Sequence, residues 1–158
     1  KCTPSEMTWK SGIDILSLGA TKNGALCCEL VVVFNKSLYA NVDRRQKRAG
    51  HLLSKQKFIA AQIIKWIEND KWIKAASKAN SFAKKIENML KNNNKINVIY
   101  PVESNMIFLE LSTEFELNLK KNNVEFYNWP SKKNILRFVT PWNFKNQEIN
   151  ILKKIFNN

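Results

Sequence analysis

Asp14-Ile-Leu-Ser-Leu-Gly-Ala-Thr-Lys22-Asn-Gly-Ala-Leu-Cys-Cys-Glu-Leu-Val-Val-Val-Phe34 is the stretch that decides how this chain is read. Two apolar runs rich in β-formers, 13–18 and 25–34, flank a short turn containing Gly19, Thr21, Lys22, Asn23 and Gly24. The glycines let the backbone turn tightly, so Lys22 is expected to project from a strand-to-strand corner. The second run is nearly continuous in Leu, Val and Phe, the pattern of a strand buried on both faces. A two-stranded hairpin cannot bury both its faces. The pattern therefore implies a larger sheet, completed by residues that this chain does not contain.

The 158 residues are 44% hydrophobic and 25% charged, a globular balance with room for one domain or two small ones. No apolar run approaches bilayer length, and the charged first ten residues lack the apolar segment of a secretory signal, so no membrane association and a cytoplasmic location are expected. The net charge of +13 would suit an anionic partner. Its lysines, however, are scattered among abundant Asn and Ile in every element, which reads as compositional bias rather than a built patch, and no nucleic-acid partner is expected. Cys2, Cys27 and Cys28 offer no Cys-x-x-Cys spacing; reduced structural thiols and no metal site follow.

From about Asp43 the period becomes helical. Leu52, Ile59, Ile63, Trp66 and Ile67 fall near one face, predicting one long amphipathic helix. After Asn69-Asp70, steps of three and four through Ile73, Ala76, Asn80, Ala83, Ile86 and Leu90 predict a second, closed by Lys91-Asn-Asn-Asn94. The remainder alternates: strands at 96–100, 106–111, 125–129 and 135–139, helices at 114–121 and 147–156. Pro101, Pro130 and Pro141 each close a strand.

On residue chemistry alone, Lys22 is one turn lysine among many, and a turn lysine is ordinarily a solvated charge. Arg137 interrupts the apolar run Ile135-Leu-Arg-Phe-Val139, where an unpaired guanidinium is costly. It requires an anion, an internal salt bridge, or a solvent-facing side of its strand. Arg44-Arg-Gln-Lys-Arg48 lies near the expected helix start, where positive charge opposes the helix dipole and an external phosphate would relieve it. His51, the only histidine, is not assigned to catalysis. Trp9, Tyr127 and Trp142 are expected to be packing residues, and so is Ser17.

Lys22 does not stand alone. With Glu6-Met-Thr-Trp9-Lys-Ser-Gly12, Arg48-Ala-Gly-His-Leu-Leu-Ser-Lys55, Asn105, Phe126-Tyr127 and Arg137, it resembles, in order and over essentially the whole chain, the threonine aldolase and β-eliminating lyase family of pyridoxal-phosphate enzymes. The resemblance implies an α/β fold of the aspartate-aminotransferase-like type. Residues 1–66 would end the large cofactor-binding domain and 67–158 would form the small C-terminal domain. It implies that Lys22 joins pyridoxal phosphate as a Schiff base, that Thr21 donates to the cofactor phosphate, and that Arg48 reaches that phosphate from a neighbouring subunit of a homo-oligomer. Arg137 would clamp the α-carboxylate of an amino-acid substrate, whose Cα–Cβ bond is cleaved to give glycine and an aldehyde. A Lys22 amine partly withdrawn from water would stay nucleophilic. The family's pyridine-facing carboxylate, main phosphate loop and ring-stacking group lie upstream, so this chain is expected to need a missing N-terminal half and to be silent alone. An aminotransferase or racemase of the same fold, or a non-catalytic basic nucleic-acid-binding module, are the alternatives.

Overall fold

The structure is a computed structural model that describes residues 2–130 and 134–157. The chain divides into two compact units, Lys1–Trp72 and Ile73–Asn158. No helix among the described residues is long and apolar enough to cross a membrane.

In the first unit β1 (Ile15–Gly19) and β2 (Glu29–Val33) form an antiparallel hairpin, in register from Ile15↔Val33 to Gly19↔Glu29. Alternation places Leu16, Leu18, Leu30 and Val32 on a half-buried face and leaves Ile15, Ser17 and Val31 exposed on the other. The reading of β2 as buried on both faces is thus not met within this chain. The apolar run is present, but only one side of it is covered. Ala20, Cys28 and Trp66 are the buried residues there, and Leu18, Leu30, Ile59, Ile63 and Trp72 pack around them.

The single long helix expected from Asp43 is two helices, α1 (Tyr39–Arg48) and α2 (Lys57–Ile67). Gly50 ends the first. At φ +75° it lies in the left-handed region, its N–H bonds Lys47 O (3.1 Å), and the next N–H, of His51, bonds Gln46 O (3.0 Å). These are the paired bonds of a glycine-terminated helix. Leu52 therefore leaves the helical period and is exposed. Asn69 (φ +54°) and Asp70 (φ +57°) then separate α2 from α3 (Lys71–Leu90) at the site the sequence marks.

The second unit is a four-stranded antiparallel sheet in the order β3 (Ile96–Val98), β4 (Met106–Leu111), β6 (Ile135–Val139), β5 (Tyr127–Asn128). Ile107, Leu109, Leu111, Leu136 and Phe138 point from one face into a core with Ala83, Ile86 and Leu90 of α3, Phe115 and Leu119 of α4 (Thr113–Lys121), and Leu152, Ile155 and Phe156 of α5 (Asn146–Asn157). Ser112 caps α4 by accepting from Phe115 N at 3.2 Å. Thr140, the buried polar residue at the end of β6, donates to Ala79 O (2.7 Å), and its N–H bonds Asn105 O (2.9 Å). Asn105 returns a bond to Thr140 O at 3.0 Å. The opposite face of this sheet, bearing Phe108 and Arg137, carries no helix of the core cluster.

Candidate active-site residues

Lys22 sits in a 3-10 turn, Thr21–Asn23, between β1 and β2, followed by Gly24 at φ +104°. That angle is costly for a residue bearing a side chain, which is why the turn closes on glycine. Ala20 O accepts from both Asn23 N (3.0 Å) and Ala25 N (3.1 Å). Thr21 Oγ1 accepts from Cys28 N (3.0 Å) and donates to Cys28 O (3.1 Å), closing the loop across its base.

Helical residues hold the other side. Gln62 Oε1 accepts from Leu26 N (2.9 Å), Trp66 Nε1 donates to Asn23 O (2.9 Å), and Asn23 Nδ2 donates to Trp72 O (2.9 Å). The rings of Trp66 and Trp72 pack 5.7 Å apart beneath the turn. Burial pushes the Cys28 thiol above its ordinary pKa, keeping it protonated beside Gln62. Its neighbour Cys27 is exposed, so of the adjacent pair only Cys28 packs as a structural thiol.

The turn is held, but Lys22 itself is exposed and makes no hydrogen bond or ion pair among the described residues. The partial desolvation expected of it is not provided by these residues. Ser17 is also exposed rather than packed.

Arg48 is exposed at the C-terminal end of α1, with Arg45 and Lys47 in the same last turn. This corrects the dipole argument: cations at a helix C-terminus are favoured by the dipole, so it gives no drive toward an external phosphate. Asn41, Arg44, Arg45 and Arg48 still line one shallow basic concavity. No hydrogen bond or ion pair among the described residues joins Arg48 to the Lys22 turn.

Arg137 is set quite differently, on the face of the second unit's sheet that bears Phe108 and the buried Ile135. Register pairs it with Phe108 on β4 and Tyr127 on β5. Its Cζ lies 5.0 Å from the Tyr127 ring centroid and 5.9 Å from that of Trp129. Its Nε is buried with no hydrogen-bond partner, and no carboxylate pairs with it among the described residues. Of the three readings open from sequence, the internal salt bridge therefore finds no support in these residues. Tyr127, Trp9 and Trp142, expected to pack, are 50%, 53% and 41% exposed.

The structure thus places Lys22, Thr21 and Arg48 in the first unit and Arg137 in the second. Sequence reading missed Gln62, Trp72 and Trp129. Gln62 and Trp66 face the same way on α2, four residues apart, and that spacing was the available signal. Ser131, Lys132 and Lys133 lie outside the described residues.

No family model matches the chain. In three dimensions it superposes on a threonine aldolase from Leishmania major with a TM-score of 0.83 at 23% identity, over 92% of this chain and 43% of that one. The fold is therefore that of the C-terminal part of an α/β enzyme of the aspartate-aminotransferase-like type, as expected. Over 141 residues, 89% of the chain, it is 35% identical to the low specificity L-threonine aldolase of Pseudomonas sp. strain NCIMB 10558 and 34% identical to that of Pseudomonas aeruginosa. Over most of its length the chain is thus similar to the low-specificity threonine aldolases, of which it matches the C-terminal part. It spans 40% of the length of these curated relatives.

Proposed function

We propose that this chain supplies the lysine-bearing and carboxylate-binding parts of a pyridoxal-phosphate-dependent lyase that cleaves β-hydroxy-α-amino acids to glycine and an aldehyde. The observation that carries this reading is Lys22: an unengaged primary amine on a turn whose surrounding backbone is tied down on both sides.

The residues fit the group. Pyridoxal phosphate, when bound, supplies an aldehyde that condenses with amines and a conjugated ring that takes up the electron pair released at Cα when Cα–Cβ breaks. Lys22 Nζ would be the amine that anchors this group and, when not so engaged, would be the group of this chain placed to hold a proton at Cα. Thr21 can turn its hydroxyl proton toward the cofactor phosphate, because Cys28 O keeps a second donor in Ala20 N (3.3 Å) and is not orphaned. Arg137 offers an unpaired, partly buried guanidinium to the substrate α-carboxylate, a match suited to a bidentate contact.

Arg48 is proposed to meet the cofactor phosphate of a neighbouring subunit in a homo-oligomer. The groups that face the pyridine ring are proposed to come from the part of the relatives that this chain does not span.

The test is reductive trapping. Full-length protein incubated with pyridoxal phosphate and reduced with borohydride is expected to carry the label on Lys22, and to release glycine and acetaldehyde from threonine. Lys22→Ala is expected to lose both. The isolated chain is expected to label weakly and to leave threonine intact. Label on another lysine, or undiminished cleavage by Lys22→Ala, refutes the assignment. A keto acid or a D-amino acid as product would point to the aminotransferase or racemase alternatives.

A further inference from the structure

We propose that Tyr127 and Trp129 are positioning residues for Arg137, holding its guanidinium so that its in-plane N–H edge is left for a carboxylate. The proposal rests on the reading of Arg137 given above and assigns the residues that make it work.

Tyr127 and Trp129 are two apart, so an extended chain puts both rings on one side of the sheet, the side to which Arg137 and Phe108 also belong. Trp129 N donates to Ile135 O at 2.8 Å, which extends the pairing of β5 with β6 past Asn128. Its ring meets Phe108 edge-on (5.1 Å, 83°), and Phe108 in turn meets Tyr100 edge-on (5.5 Å, 81°). Tyr127 lies within 5.0 Å of the guanidinium carbon and Trp129 within 5.9 Å, both inside cation–π range.

Aromatic rings do two things to a guanidinium. They cover its faces, removing water there, and they attract the charge without accepting its in-plane hydrogen bonds. What remains is the edge, and the Nε on that edge is buried and unpartnered among the described residues. A planar cation held in this way, with a vacant donor edge, selects a planar two-oxygen anion over a point charge. A lysine would not serve, because an ammonium has neither the plane to stack nor the fork. Tyr127 is half exposed, so one side of the arrangement stays open to a small ligand.

In the full-length protein, Tyr127→Leu and Trp129→Leu are each expected to raise KM for threonine roughly 3- to 10-fold while kcat stays within about twofold. Tyr127→Phe, which keeps the ring, is expected to restore the wild-type KM. Preference for threonine over its carboxamide is expected to fall in step with the KM rise. By 15N NMR, the Arg137 Nε–H resonance is expected to leave its ring-shifted position in Tyr127→Leu, and its response to added acetate is expected to weaken. If Arg137→Leu leaves KM unchanged, the carboxylate reading itself fails. If Arg137→Leu raises KM but both ring deletions leave KM and the Nε–H resonance unmoved, only the positioning proposal is overturned. It is overturned equally if Tyr127→Phe is as impaired as Tyr127→Leu.

Discussion

Among the described residues, fifteen buried apolar side chains close one continuous core in the Ile73–Asn158 unit, whereas in the Lys1–Trp72 unit only Ala20, Cys28 and Trp66 are buried together. The candidate residues are held accordingly. Arg137 is fixed by packing, between cross-strand aromatic neighbours on a sheet whose other face is fully clothed. The turn that bears Lys22 is fixed by hydrogen bonds involving Thr21, Gln62, Trp66 and Asn23, on a hairpin clothed on one face. In the same unit Met7, Leu26, Val31, Phe58 and Ile64 are each 60% or more exposed. Scattered apolar exposure is ordinary, but this concentration within one unit is not. The difference teaches that the surroundings of one candidate residue, Arg137, are finished by the chain that bears it, while the proposed cofactor lysine is well placed on a turn whose surroundings are not.

The largest expected effect separates the two units directly. Leu109 is fully buried, and Leu109→Ala is expected to cost about 2–5 kcal/mol in urea unfolding through lost burial and the cavity left behind. Ile64 on α2 is 70% exposed, and Ile64→Ala in this chain is expected to stay within about 0.5 kcal/mol. Repeating Ile64→Ala in the full-length protein sharpens the comparison. A cost above about 1 kcal/mol there would mean that further residues cover the exposed face. Similar costs for Leu109→Ala and Ile64→Ala in the isolated chain would break the contrast between the units.

Much of this was legible in the sequence, for physical reasons that can be named. The second unit declares itself because its period is local: of the residues read at helical steps Ala83, Ile86 and Leu90 are buried, though Ile73 and Asn80 are exposed, and Ile107, Leu109 and Leu111 alternate as a sheet with one covered face requires. The Lys22 corner was legible because an exposed 3-10 turn between two β runs needs a glycine such as Gly24 to close it. The α1–α2 break was misread because Leu52 fits a helical face by counting alone. Gly50, two residues earlier, was the stronger signal, since a left-handed residue ends the helix whatever follows. The role of the Arg44–Arg48 charges was misread for the same reason: placing the helix start four residues late put its C-terminal cations at the wrong end of the dipole. The hydrogen bond from Trp66 to Asn23 spans 43 residues, and the ring contacts of Arg137 depend on strand register. Neither follows from local pattern.

A smaller effect tests whether the Lys22 turn is held by hydrogen bonds rather than by packing. Trp66→Phe keeps an aromatic ring but deletes the donor to Asn23 O, leaving that partly buried carbonyl short of a partner at a cost of about 1–2 kcal/mol. In the full-length protein the borohydride-trapped fraction at Lys22 is expected to fall with it, while the Arg137 Nε–H resonance stays in place. Unchanged trapping would show that the turn does not depend on this bond.

The smallest effect is set by pH. Glu87 on α3 accepts from Lys84 Nζ (2.8 Å) and Val102 N (3.4 Å). The Lys84 contact is the main cause that holds its carboxyl below the ordinary value of 4.5, against the opposing effect of burial. A carboxyl whose folded pKa is depressed binds its proton more readily when unfolded, so its contribution is complete above the ordinary value and is lost as pH falls through the lower folded one. The stability difference between wild type and Glu87→Gln is therefore expected to be flat above the ordinary carboxyl value of 4.5 and to shrink as pH falls below it, toward the lower folded value. Glu68, bridging Lys65 and Lys71, is depressed in the same direction, but all three side chains are 45% or more exposed. Salt is expected to erase the Glu68→Gln difference and to leave most of the Glu87→Gln difference, because screening acts chiefly on charges that face water. A Glu87→Gln difference that vanishes in salt as readily as that of Glu68→Gln would place this carboxylate at an open surface, and the contrast between a closed second unit and an open first one would lose its electrostatic support.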